Sequence, residues 1–141
     1  MDQSNLVELL AKIQIERQIQ LTTALKKITS LDIRQVLVLK LIQEKKGLIQ
    51  KDIADAINHR PASISALLQK LENEDLIYRQ IPADNTRNKQ IFLTEKGQEI
   101  VDTFEQEEHF IYERLISKID NTQKSELIKL LTLAYKGLIE K

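Results

Sequence analysis

Residues 82–97 read PADNTRNKQIFLTEKG: a polar run with one arginine, Arg87, at the apparent tip of a turn, then a short apolar stretch and a helix start. A lone guanidinium there is either a solvated turn residue or a group that reaches a nucleic acid. A second set of residues lies upstream in PASISALLQKLENEDL. Ile64, Leu67, Leu68 and Leu71 recur at i, i+3, i+4 and i+7, an apolar stripe that marks an amphipathic helix. What remains is Ala62, Ser63, Ser65, Ala66 and Gln69, with Lys70 at the edge. That face is small, polar and nearly uncharged. Short side chains let a helix approach another surface; Ser and Gln donate to and accept from base edges, and Ala can touch a thymine methyl. The alternative is a helix surface without a partner.

Other chemistry is scarce. The chain has no cysteine, which removes disulfides, thiolate metal sites, cysteine nucleophiles and thiol redox sensing. Its two histidines, His59 and His109, are far apart and neither has a second nitrogen at metal-ligand spacing. His59 reads as a phosphate or base contact or as an exposed turn residue, His109 as a surface or packed helical residue. With three glycines and no phosphate-binding glycine loop, nothing here assembles an enzyme site, a metal site or a cofactor site. Twenty-one acids balance 21 bases over the 141 residues, so global charge makes no case for nucleic acid. Placement matters more: Glu72, Glu74 and Asp75 lie at the far end of the 61–73 helix, Arg60 at its start and Arg87 at the turn tip.

Those residues need elements to hold them. Leu6, Leu10, Ile13, Leu21, Ala24 and Ile28 make an apolar stripe on one long helix. Ser30 is expected to cap a second helix, about 31–44, with Asp32 complementing its positive end. The run Val36-Leu37-Val38-Leu39 marks that helix as the buried middle element. Gly47 ends it, Leu48 and Ile49 suggest a short edge strand, and Ile53, Ala56 and Ile57 make a helix of about two turns ending at Asn58. Pro61 suits the first turn of the next helix. LIYRQI and KQIFL are β-prone runs around PADNTRN, which predicts an antiparallel hairpin. Thr94 caps a helix to about Ile119 carrying Ile100, Val101, Phe104, Ile111 and Leu115; Asp120-Asn121-Thr122 breaks it, and Thr122 caps a last helix with Leu127, Leu130, Leu131, Ala134 and Leu138. No stretch approaches the roughly 20 apolar residues that cross a bilayer. The start, MDQSNLVELL, lacks a secretory pattern, so a cytoplasmic protein without membrane association is expected.

The fold class is therefore mainly α with a small antiparallel β hairpin. In its order and spacing, LIQKDIADAINHRPASISALLQKLENEDLIYR followed by RNKQIFLTEKG resembles the winged helix-turn-helix of the MarR family of transcription regulators. The combination of helices at both ends with Leu93-Thr94-x-x-Gly97 after the hairpin carries the resemblance over nearly the full chain, 1–141. It implies a DNA-binding region at 30–97 and dimerisation helices at 1–29 and 98–141, with Leu6, Leu10, Ile13, Leu115, Ile119, Leu127, Leu131 and Leu138 at a homodimer interface. It also implies a repressor that reads a near-palindromic double-stranded operator. In this reading Ala62, Ser63, Ser65, Ala66, Gln69 and Lys70 face the major groove, Arg87 enters the minor groove, and Lys51, Arg60 and Lys89 contact phosphate. A small phenolic or other lipophilic effector that releases DNA is typical of such proteins. Three positions depart from the family pattern: Asn85 where an acid orients the wing arginine, leaving Asp84 or Asn85 to hold Arg87; Ala66 where an arginine is frequent; and Ile49 where Ser or Thr is usual. They predict altered base preference or weaker binding within the same fold. A winged-helix module that binds protein and no longer reads DNA is the alternative.

Overall fold

A computed structural model describes residues 2–57, 61–84 and 88–140, the side chains of 2–4 and 61 excepted. Six helices and two strands follow in the order α1 (Asp2–Lys26), α2 (Ile33–Glu44), α3 (Gln50–Ile57), α4 (Pro61–Asn73), β1 (Ile77–Gln80), β2 (Gln90–Leu93), α5 (Glu95–Leu115) and α6 (Asn121–Ile139). The chain divides into two compact units, Met1–Glu107 and Glu108–Lys141.

The first unit holds every buried apolar side chain among the described residues. Leu21 and Leu25 of α1, Val36, Val38, Leu39 and Ile42 of α2, Ile53 of α3, and Ile64, Leu68 and Leu71 of α4 close against Ile77, Ile91, Ile100, Val101 and Phe104. Leu37 is an exception to the buried run expected in α2, since it is 45% exposed. Twelve residues at 100° apiece cannot bury four successive side chains unless the helix is surrounded, and α2 is covered on one side only. Ile28, expected on the α1 stripe, lies past the helix end and is exposed, and Leu25 takes the buried place.

Capping differs from expectation at two helices. Asp32, not Ser30, caps α2: its carboxylate accepts from Gln35 N at 2.9 Å, and the Gln35 side chain accepts from Asp32 N at 3.1 Å. Ser30 instead donates to Glu74 Oε1 at 3.1 Å. Asp120, not Thr122, caps α6 with the same reciprocal pattern to Gln123. In both cases a glutamine stands three residues after an aspartate, so the carboxylate wins because two orphan donors are satisfied at once.

The hairpin is antiparallel, with Ile77 opposite Leu93, Tyr78 opposite Phe92 and Arg79 opposite Ile91. Leu48 adds a single bridge to Ile91, the expected edge strand reduced to one pair. Residues 74–76 turn α4 into β1 by a Schellman motif: Asp75 takes φ 62°, Leu76 N reaches Leu71 O at 2.9 Å, and Asp75 N reaches Glu72 O at 3.0 Å. Thr94 caps α5 as expected, accepting from Gly97 N at 3.0 Å while its hydroxyl donates to Asp75 O at 2.7 Å. Thr94 N also donates to Leu76 O at 3.1 Å. Gly97 must be glycine here, since a β-carbon would come within 2.2 Å of the Leu76 carbonyl oxygen.

The second unit consists of the end of α5, a turn and α6, and none of its described side chains is buried. α5 stops at Leu115 rather than Ile119, and residues 116–118 continue as turns. Lys124 sits 5.4 Å from the Tyr112 ring centroid. The Lys124 ammonium donates to the Tyr112 side-chain oxygen, which holds the lysine above its usual pKa.

Candidate nucleic-acid interface

α4 is the element on which the site is built. Its core side is Ile64, Leu68 and Leu71, with Leu67 half-buried. At 100° per residue the opposite side is centred on Ala62 and Ala66, and Ser63, Ser65, Gln69 and Lys70 flank them, all exposed. The face inferred from spacing is therefore the free face of this helix in the first unit. Gln69 donates to Asn73 Oδ1 at 3.0 Å, an i, i+4 bond that holds its amide along the helix.

One flank of α4 is bordered by the hairpin and the start of α3. Arg79 of β1 lies 3.6 Å from Glu72 Oε1 and donates to Gln50 Oε1 at 3.3 Å. A shallow groove of about 260 Å³ joins Ile49, Gln50, Lys51, Arg79, Asn88 and Lys89. Lys51 and Lys89, 38 residues apart in the chain, are thus brought to one edge. Ile49 occupies the cap position of α3 and has no side-chain acceptor, but Asp52 reaches back to Ile49 N at 3.1 Å. Half of a capping box survives where the family pattern carries a hydroxyl.

The other flank faces the beginning of α2. Asp32, Arg34, Gln35, Ser63, Ala66, Leu67 and Lys70 line a groove of about 430 Å³. Lys70 Nζ donates to Gln35 Oε1 at 3.4 Å, so the lysine bends toward α2. A separate cleft of about 580 Å³ opens between Gln18, Thr22, Leu25 and Lys26 of α1 and residues 29–34.

His59, Arg60, Asn85 and Arg87 lie outside the described residues, as does the helix end expected at Asn58. Arg79 and Arg34 were missed by sequence reasoning. Arg79 carried a weak signal, a charge on a short strand; Arg34 carried none, because the groove that it shares with Lys70 is formed by residues of two separate helices. Phe104 is fully buried in the core, whereas Phe110 and Tyr112 are exposed.

A helix-turn-helix with a small polar exposed helix, followed by a two-stranded wing with lysines beside it, defines a winged helix-turn-helix protein. The MarR family model matches residues 31–89. Similarity to solved structures runs further. MepR, a transcription regulator of the Staphylococcus aureus multidrug efflux pump MepA, is 26% identical over 92% of this chain and 96% of its own, with a TM-score of 0.77. S. aureus MepR in complex with DNA is 27% identical over 93% and 96%, with a TM-score of 0.73. S. aureus MepR bound to ethidium bromide is 28% identical over 94% and 95%, with a TM-score of 0.74. No curated protein sequence matches the chain. Residues 31–89 thus carry a MarR-type winged helix-turn-helix, and the chain is similar to solved MepR structures over most of its length.

Proposed function

We propose that the protein is a dimeric, sequence-specific double-stranded DNA-binding regulator that acts as a repressor. The observation that carries this reading is the exposed face of α4, Ala62 to Lys70, beside an edge that gathers Lys51 and Lys89, in a chain similar to a relative whose structure includes DNA. α4 enters the major groove and the wing arginine, Arg87, reaches the adjoining minor groove. Lys51, Arg60 and Lys89 neutralise phosphates.

Dimerisation is supported by exposed apolar surface. Leu6, Leu10 and Ile13 on α1, Leu115 on α5, and Leu127, Leu131 and Leu138 on α6 are each more than 40% exposed, and Ile119 is half-buried. At roughly 25 cal/mol per Å², leaving such stripes in water is costly, and a second copy of the chain covers them. Sedimentation at micromolar concentration tests this; a monomer refutes it.

The central experiment is selection of bound duplexes from a random pool, followed by sequencing. A near-palindrome with half-sites about 34 Å apart is expected. Failure to enrich any duplex at low salt would instead favour a winged domain that binds protein. Lys89→Ala should flatten the log-log salt dependence by about 0.9 for its lost phosphate contact, whereas Arg87→Ala should weaken binding by removing the minor-groove contact. The cleft between α1 and the start of α2 falls within the roughly 300–1,000 Å³ of small-molecule sites, and a lipophilic effector there lowers DNA affinity by favouring a different arrangement of the helices around it. Ethidium is the probe, as in the MepR relative; unchanged operator affinity at saturating ethidium counts against this part.

A further inference from the structure

The two flanks of α4 are both basic, but they belong to different elements. On the wing flank the charge comes from α3 and the residue just before β2, through Lys51 and Lys89, and the contact of Arg79 with Glu72 shows which side of α4 this is. On the opposite side of the helix, 63, 67 and 70 turn toward α2, and the groove between them is lined by Arg34 and Lys70. Arg34 is exposed and has no ion-pair partner among the described residues. Asp32 is the one acid in that lining, against Arg34 and Lys70, so the groove is net positive.

A helix about 10–12 Å across fills a major groove about 12 Å wide, leaving one sugar-phosphate strand on each side of it. If α4 lies in the groove, as the proposed function requires, the wing edge meets one strand and the α2 edge must meet the other. We propose that Arg34 and Lys70 form a second phosphate clamp, on the strand opposite the one held by Lys51 and Lys89. This gives α2 a direct part in DNA binding and removes Lys70 from base reading. Gripping both strands fixes the roll of α4 about its own axis, which a one-sided clamp leaves free.

The test uses the full-length protein and its selected operator at several salt concentrations. Arg34→Ala and Lys70→Ala are each expected to flatten the log-log salt slope by about 0.9, so that their deficit relative to the unaltered protein shrinks about 3.5-fold between 50 and 200 mM salt. Arg34→Lys keeps the charge and should keep the slope, which excludes a merely structural effect. The ranking of bases at each operator position should not change, because phosphate contacts carry no sequence information. Methylphosphonates placed singly within one half-site then assign strands: substitutions harmless to Arg34→Ala but costly to the unaltered protein must lie on the strand opposite those found for Lys89→Ala. Both sets on one strand, or unaltered slopes in Arg34→Ala and Lys70→Ala while Lys89→Ala shows its loss, overturns the clamp. Absence of DNA binding by the unaltered protein overturns the proposed function itself.

Discussion

Replacing Gly97 by alanine tests how the wing is tied to the rest of its unit. The new β-carbon would stand 2.2 Å from Leu76 O and 3.1 Å from Leu76 C. The optimum for non-bonded heavy atoms is roughly 3.5 Å, so backbone has to part by about 1 Å. Neither side can yield by rotating a side chain, because both are main chain. The start of α5 and the end of the 74–76 turn separate, and the bonds that cross this seam go with them: Thr94 N to Leu76 O at 3.1 Å and the Thr94 hydroxyl to Asp75 O at 2.7 Å. Overpacking costs about 1–3 kcal/mol and the weakened cap and hydrogen bonds about 1–2 more. Alanine in a helix returns about 1 kcal/mol relative to glycine. A net loss of about 1–4 kcal/mol is expected. Urea unfolding followed by far-UV circular dichroism at one fixed protein concentration measures it, since an associating protein shifts its apparent stability with concentration. Gly137→Ala is the control: nothing lies within 4 Å of its would-be β-carbon, so it should be neutral or slightly stabilising. A Gly97→Ala protein within about 0.5 kcal/mol of the original would refute the close-approach explanation.

Three smaller outcomes are expected. Thr94→Ala loses the acceptor for Gly97 N and the donor to Asp75 O, and should cost about 1–2 kcal/mol in the same unfolding assay, whereas Thr94→Ser should recover most of it. Asp75→Gly relieves a left-handed residue at φ 62° and should stabilise by roughly 0.5–1 kcal/mol, whereas Asp75→Val should destabilise. The Tyr112 side chain stabilises the charged form of Lys124, so the lysine loses its proton at higher pH than an isolated one; in Tyr112→Phe its NMR titration should move down toward the ordinary lysine value, and an unmoved curve assigns the shift elsewhere.

Helix spacing and turn chemistry were legible in the chain because they depend on near neighbours. The stripe Ile64, Leu68, Leu71 determined which side of α4 is buried, and by subtraction its polar face, since 3.6 residues per turn leaves no other arrangement. Thr94 declared itself as a cap by standing just before a helical pattern. Where two candidates lay within a few residues, as Ser30 with Asp32 and Thr122 with Asp120, the choice turned on a glutamine three positions on, a pairing as local as the cap itself but read only once geometry showed it closed. What the chain could not disclose was what came together from afar. Gly97 is required by the carbonyl of Leu76, 21 positions away; Lys51 meets Lys89 across the hairpin edge, and Arg34 meets Lys70 across the groove between α2 and α4. Such neighbours are set by how helices cross, and no periodicity along one helix records the angle at which another lies against it.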